Sequence, residues 1–417
     1  MKILLYTDLA VRTDQLFWHR DLGLLTKAFR DLGHDACLVV HLATEPGATL
    51  GAPNELDHPS EQPFEAPPER SKVWSEVGPH SEIRNSKSLI PPVLWPSPPD
   101  VRDPLWWQSQ KPDLVILGLW TRPKYDPIRR AALSATPHVV ERADSDGMRT
   151  ASCGLLTYAK RRFDYFRDRA YHWPSLLSIP ASFFYSFASI IATPWIETRL
   201  ALTLKLLPAV AVETPHATGL WESLATRLGV DPSKIHCVPH PIQTDIFKFD
   251  PTVPKKNQII SVGRWESYQK NLPFLLKTLR SFLDKNPSWT SLVIGSGLPT
   301  KSPHPQITFL PPLSSPDLAC HMQQSKIFLS TSRYESFGLA SVEASACGCT
   351  VVGPSKILTL GNDLSSPGPL SFGSTFTLLR GKLQHVADAD LPPSNPMTLI
   401  SESLPPTIAR ILIGLFA

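Results

Sequence analysis

The sequence predicts an α/β protein of two doubly wound, parallel-sheet halves that face a central cleft. Three observations predict it. The 417 residues are enough for two ordinary domains with substantial cores, and 42% of them are hydrophobic, as in a soluble globular protein. Short continuous apolar runs alternate with helix-length segments in two successive series, the pattern of β-α-β units and parallel strands buried on both faces. A proline- and charge-bearing linker, FDPTVPKK at 249–256, divides the two series into halves at 1–248 and 257–400.

The first half opens on MKILLYTD. Its apolar run ends after four positions at Thr7 and Asp8, too short for a secretory signal, so residues 3–6 read as a first buried strand. A helix across 15–32, a turn at Gly33 and His34 and a strand at 37–41 complete a β-α-β unit. The loop TDLAVRTD then lies at the carboxyl end of the first strand, where open α/β sheets bind ligands. Residues 51–105 hold twelve of the 43 prolines with little periodicity and read as an insertion or loop. Disorder is one reading of it, and an acceptor-side lid using Trp74, Trp95, Trp106 and Trp107 is the other.

LVILGL at 114–119 and HVVE at 138–141 resume the sheet, and Glu141, Asp144 and Asp146 follow at a strand end on its ligand side. For Asp144 and Asp146 three readings stand: caps of a helix, ligands of a divalent cation, or contacts to a substrate. From Ala170 to Ile196 there are 27 residues without Asp, Glu, Lys or Arg, preceded by KRRFDYFRDR. The length suffices to cross a bilayer, but Pro174, Pro180, Pro194 and five serines argue against a span. A buried helix pair and an interfacial surface docking on anionic membrane are the competing readings. AVAVE at 209–213, a helix to about 228 and KIHCVPHPIQTDIF at 234–247, with His240 in a turn, close this half.

In the second half, strands are expected at 259–262, 292–295, 307–310, 326–330 and 350–353, with helices near 271–285 and 315–324. Beyond Pro354 the pattern decays, and a last helix within 401–417 closes the chain. The six cysteines are scattered and read as reduced thiols of a cytosolic protein; Cys347-Gly-Cys349 is too short for the usual zinc spacing. A net charge of +4 suits anionic substrates or anionic lipid but not nucleic acid, which needs basic residues clustered on one face.

Chemistry concentrates in TSRYESFGLASVEASACGCTVV at 331–352. A helix should begin near Gly338, and the unpartnered N–H groups of its first turn, with the dipole behind them, suit an anion such as a diphosphate. Glu343 lies about 7 Å further along the axis, and helical side chains tilt back toward the N-terminus, so its carboxylate can accept bonds from a vicinal diol beside that anion, such as a ribose. Glu335, in the loop, points at whatever hangs beyond the diphosphate, the place of a sugar. Arg264, just after Gly263 at a strand end, and Lys270 supply two cations that stabilise charge developing on a departing diphosphate better than they stabilise the ground state. They take the place of a metal ion or cofactor.

Glu335 and Glu343 with F-G after the first acid, SVGRWESYQKN at 261–271 and LVIGSG at 292–297 together resemble the retaining nucleotide-sugar glycosyltransferases of GT-B fold, the group 1 or E-x7-E family. The resemblance covers most of 258–353. It implies two Rossmann-like domains, with Arg264 and Lys270 on the donor phosphates, Glu335 on sugar hydroxyls, amides near Phe337, Gly338 and Leu339 on sugar and phosphate, Glu343 on the ribose, and Gly263 and Gly295 in the donor-binding turns. It implies retention of anomeric configuration without a metal. The chain departs from the family in having no glycine in TDLAVRTD and Pro239-His240-Pro241 where Pro-Asn-Gly is common. No nucleophile is evident, which suits a same-face mechanism; a double displacement would need a carboxylate on the far face, for which Asp144 and Asp146 are the candidates. The acceptor is unidentified, a lipid-linked molecule being one candidate, and the expected location is cytoplasmic or peripheral on a membrane. A non-catalytic nucleotide-sugar binding protein is the alternative; a nicotinamide-dependent oxidoreductase is disfavoured because no G-x-G-x-x-G follows the first strand.

Overall fold

The computed structural model describes residues 1–11, 21–42, 92–94, 96, 99–119, 121–143, 153–335, 337–353, 372–389 and 404–416. They form two parallel sheets. The first contains β1 (Lys2–Val11), β2 (Asp35–Leu42), β3 (Val93–Leu94), β4 (Leu114–Gly118), β5 (Val139–Arg142), β6 (Ala209–Val212) and β7 (Ile235–Cys237), in the order β3-β2-β1-β4-β5-β6-β7. Helices α1 (Asp21–Asp31), α2 (Pro104–Gln110), α3 (Asp126–Ala135), α4 (Leu155–Arg169), α5 (Ser175–Ile191), α6 (Thr193–Leu206) and α7 (Pro215–Arg227) belong to this half. Alternation along β1 sends Leu4 and Tyr6 into one core and Ile3 and Leu5 into the other, so the sheet is covered on both faces.

The second sheet contains β8 (Lys256–Val262), β9 (Thr290–Ile294), β10 (Ile307–Leu310), β11 (Ser325–Leu329) and β12 (Thr350–Val352), in the order β10-β9-β8-β11-β12. Its helices are α8 (Leu272–Leu283), α9 (Ser315–Gln324), α10 (Leu339–Ala346) and α11 (Phe372–Asp388). The strand order reverses between β8 and β11, and a crevice opens beyond the carboxyl ends of strands at such a switch point. The loops leaving β8 and β11 are therefore neighbours. A final helix, α12 (Pro405–Gly414), lies in the first half: Ile408, Ala409 and Leu412 are fully buried in one core with Leu22, Leu25 and Phe29 of α1.

Several elements differ from the sequence expectation. β1 continues past Tyr6 through a register shift and pairs again with β2 at Ala10 and Val11, so the first five residues of TDLAVRTD are strand. The stretch 51–105 does contain regular structure at its end: β3 is the edge strand beside β2, and a 3₁₀ turn at Asp100–Arg102 precedes α2. Trp106 and Trp107 are not lid residues. Trp107 is fully buried, donates its indole N–H to the Val101 carbonyl at 2.9 Å and packs edge-on against Tyr6, with Trp106 beside it. Trp74 and Trp95 lie outside the described residues. α11, which the sequence pattern did not announce, packs Leu379 and Leu383 into the second core.

Glu141, expected on the ligand side of a strand end, is held inside the first half. Its side chain is buried and takes two bonds from Arg129, at 2.5 and 2.9 Å, and Arg129 in turn reaches Asp126 at 2.9 Å. A buried pair of this kind clips α3 to β5. Arg129→Met, which leaves Glu141 in the core without its cation, is expected to cost about 3–5 kcal/mol in a urea titration, and adding Glu141→Leu to restore most of the loss.

Candidate functional site

The site begins with two strand ends forced together. Gly295 has φ +139, and a Cβ there would stand 1.8 Å from the Gly263 carbonyl oxygen. Gly297, at φ +69, faces Glu266, whose backbone nitrogen would be 2.5 Å from an added Cβ. Only residues without a side chain allow the β9 turn to lie this close under the β8 turn. Trp265 closes the contact, its backbone N–H bonding to Ser296 and its indole N–H to the Ile294 carbonyl.

The loop 266–271 is thereby turned toward the loop after β11, and hydrogen bonds stitch the two. Arg333 N–H donates to the Gln269 carbonyl at 2.8 Å, its guanidinium reaches the Tyr268 carbonyl and Asn271 Oδ1, and the Gln269 side-chain amide donates to the Tyr334 carbonyl at 2.8 Å. Lys270 and Glu335 meet at the centre, Nζ to Oε1, at 2.5 Å, with side chains only 20% and 14% exposed. Arg264, one residue after Gly263, is exposed at the rim.

Beyond Glu335, Phe337 is buried and Gly338 takes the left-handed conformation, φ 80, as the N-cap of α10. α10 starts at Leu339, carries no acid in its first turn and presents half-buried Glu343 on its second. Lys255 anchors the rear of this unit by donating to the carbonyls of Met322, Ser325 and Cys347, where α9 and α10 end. Gly263, Lys270, Gly295, Glu335, Gly338 and Leu339 are thus assembled at one switch point, with Arg264 and Glu343 on the same turn and helix. Asp144 and Asp146 lie outside the described residues. Among the described residues no group of three His, Cys, Asp or Glu side chains is arranged to hold a metal.

The first half reaches this site in two places. Asp168 of α4 accepts from Ser267 Oγ at 2.7 Å and from the Gln269 N–H at 3.2 Å, while Arg161 lies 3.8 Å over the Tyr334 ring. His240 is the second place. It is more than a turn residue: its ring touches Phe337 edge-on at 5.4 Å, and its two nitrogens meet Glu213 at 2.6 Å and Asp21 at 3.1 Å. Arg142 bonds to Asp21 and to the Pro239 carbonyl. Burial pulls the imidazole down, but the Glu213 and Asp21 carboxylates outweigh it and raise it to about 10. Burial pushes the Asp21 carboxyl up, and Arg142 with His240 outweighs that and holds it well below the usual range. No spacing in the sequence joins Asp21, Arg142, Glu213 and His240; Arg142, Glu213 and His240 end or follow predicted strands, whereas Asp21 falls within a predicted helix.

Residues 256–357 match the family model described as glycosyl transferases group 1. Through this segment the chain is similar to that family. Two of its curated relatives are a GDP-mannose:cellobiosyl-diphosphopolyprenol alpha-mannosyltransferase of Xanthomonas campestris, 27% identical over 42% of this chain and 48% of the relative, and a D-inositol 3-phosphate glycosyltransferase of Jonesia denitrificans, 29% identical over 31% and 37%. The matched region therefore spans less than half the length of either relative. Among solved structures, Anabaena HepE in complex with UDP-glucose superposes with TM-score 0.56 at 12% identity over 99% of both chains. Sucrose-phosphate synthase from Thermosynechococcus elongatus does so with TM-score 0.56 at 14% identity over 100% of this chain and 98% of its own. The fold is that of the GT-B glycosyltransferases.

Because the folded His240 value lies above the unfolded one, the stabilisation it brings is complete below about pH 6.5 and is lost as pH rises through about 10. His240→Gln, which leaves Asp21 and Glu213 without the imidazolium, is expected to lower stability by about 3 kcal/mol at pH 6, with the difference from wild type fading above pH 10 in urea titrations.

Proposed function

We propose that the protein transfers a sugar from a nucleoside-diphosphate sugar to an acceptor hydroxyl, with retention of configuration and without a metal ion. The observation that carries this reading is the convergence of Lys270 and Glu335 in front of the α10 N-terminus, at the switch point of the second sheet. A cation, open helix amides and a carboxylate within one loop pair match the three parts of such a donor: phosphate, phosphate and sugar.

In this reading the donor phosphate takes Lys270 from Glu335, Arg264 closes over the phosphates from the rim, and Glu343 accepts from the ribose diol. Glu335 then accepts from the sugar hydroxyls. As the bond from the anomeric carbon to the phosphate oxygen breaks, its electron pair stays on the diphosphate, where the two cations and the α10 amides stabilise it. The acceptor oxygen bonds to the anomeric carbon from the same face, and its proton passes to the departing phosphate oxygen. Double displacement through Asp144 or Asp146 remains the competing route to the same stereochemistry. For the acceptor we infer a lipid-linked molecule, the kind named for the Xanthomonas relative.

A thermal-shift panel of nucleoside diphosphates and their sugars is expected to find one base that stabilises the wild type, with the shift weakened in both Arg264→Ala and Glu343→Ala; an unchanged shift in both variants would sink the site assignment. Turnover with the donor so identified should survive EDTA, whereas Lys270→Ala should lower kcat by about 10²- to 10³-fold, as loss of a charge-stabilising group does elsewhere. Activity abolished by EDTA and restored by a divalent cation would overturn the metal-free reading.

A further inference from the structure

The apolar stretch 170–196 forms neither a buried helix pair nor a straight span. α5 is 17 residues long, about 25 Å at 1.5 Å per residue, short of a hydrocarbon core of about 30 Å, and it meets α6 at 62°. Its polarity is inverted relative to an ordinary surface helix. Ser178, Ser182, Ser186 and Ser189 are buried against the protein, whereas Leu176, Phe183, Phe184, Phe187 and Ile191 point outward, each more than 60% exposed. Ser186 donates to the Ala159 carbonyl of α4 at 2.7 Å, Ser182 and Ser189 donate to carbonyls of their own helix, and Ser178 accepts from Arg167, so the inward hydroxyls are paired, with Tyr185 stacking on α4 beside them. Of the 17 large apolar side chains exposed among the described residues, 13 lie between 155 and 202. That concentration marks a patch rather than scattered surface residues.

We propose that the outward face of α5, with the flanking Trp173 and Trp195, docks in the interface of an anionic lipid bilayer. The proposal names the surface on which the lipid-linked acceptor of the preceding reading would be met, while its geometry stands on the helix alone. Three features favour lipid over a protein partner. The centre of the patch is Leu, Ile and Phe without a charge, and tryptophans exposed by 51% and 65% stand at its two ends, the arrangement of an interfacial helix. Residues 155–206 carry seven Lys or Arg against three Asp or Glu, a surplus of +4 that equals the net charge of the whole chain. All three acids are already engaged: Asp164 by Lys160, Asp168 by the 267–269 loop and Glu197 by Arg227. The charge offered outward is positive, with Arg199 and Lys205 exposed on α6, and it complements anionic headgroups. α4, on the inner side of α5, is also the helix whose Asp168 and Arg161 hold the 267–269 and 334 loops, so a docked α5 would set the cleft beside the membrane.

The test is co-sedimentation of the full chain with phosphatidylglycerol–phosphatidylcholine vesicles and with phosphatidylcholine alone, beside a sizing column. Wild type is expected to bind the anionic vesicles, and a variant carrying Phe183→Glu, Phe184→Glu and Phe187→Glu to lose at least about tenfold in partitioning. Arg199→Glu with Lys205→Glu should weaken binding to the anionic vesicles only, and added salt should act the same way. A melting transition and nucleotide-induced shift like those of wild type show that each variant is folded. Failure of the folded wild type to bind, equal binding to neutral vesicles, or a wild-type dimer that the triple variant dissolves without any vesicle binding would each overturn the proposal. Vesicle binding without any nucleotide-induced shift would leave it standing while removing the transferase reading.

Discussion

The close approach of two glycine turns, at 263 and 295–297, is the constraint on which the site depends. With any side chain at Gly295 the β9 turn could not lie against the Gly263 carbonyl, and the loop from Trp265 to Asn271 would lose its floor. That loop holds Lys270. Its partner, Glu335, is carried by the loop after β11, the next strand across the switch point, and the hydrogen bonds of Arg333 and Gln269 fix the two loops to one another. The ion pair is only partly exposed, so its charges act on one another and on a ligand more strongly than surface charges do.

The first half contributes in a different manner. Its sheet is locked by a buried Arg129–Glu141 pair, and at the carboxyl ends of its strands Asp21, Arg142, Glu213 and His240 form a compact group of alternating charge. His240 touches Phe337, and Asp168 grips the Ser267–Gln269 turn, so both flanks of the second-half site rest on the first half. The returning helix α12 adds a further tie by completing the core beneath α1.

Much of this was legible in the sequence wherever local chemistry decided the structure. Strands of the second half lie within a few residues of their apolar runs, because a parallel strand buried on both faces must be apolar throughout. The start of α10 was legible because Gly338 and the small residues after it leave few alternatives. What was not legible depended on partners far away in the chain. In sequence Glu141 stands at the ligand side of a strand end, and only α3 brings Arg129 beside it; His240 stands in a turn, and only the fold closes Asp21 and Glu213 on it. Trp107 follows a proline-rich stretch in sequence and belongs to the core by its contact with Tyr6. For 170–196, composition left three choices, and only the direction of the serines removed the buried-pair reading.

The inward serines have a consequence of their own. Side chains this small let α4 and α5 lie near enough for Ser186 to reach a carbonyl of the neighbouring helix, and they leave no volume for anything larger. The two sides of α5 can therefore be altered largely independently: of the three outward phenylalanines Phe183 rests on α4, through Phe163, while a leucine placed inside would wedge the hairpin apart. An engineer wishing to make this protein easier to handle in water has most of one side of a helix to rewrite, and the cleft of the second half need not register the change.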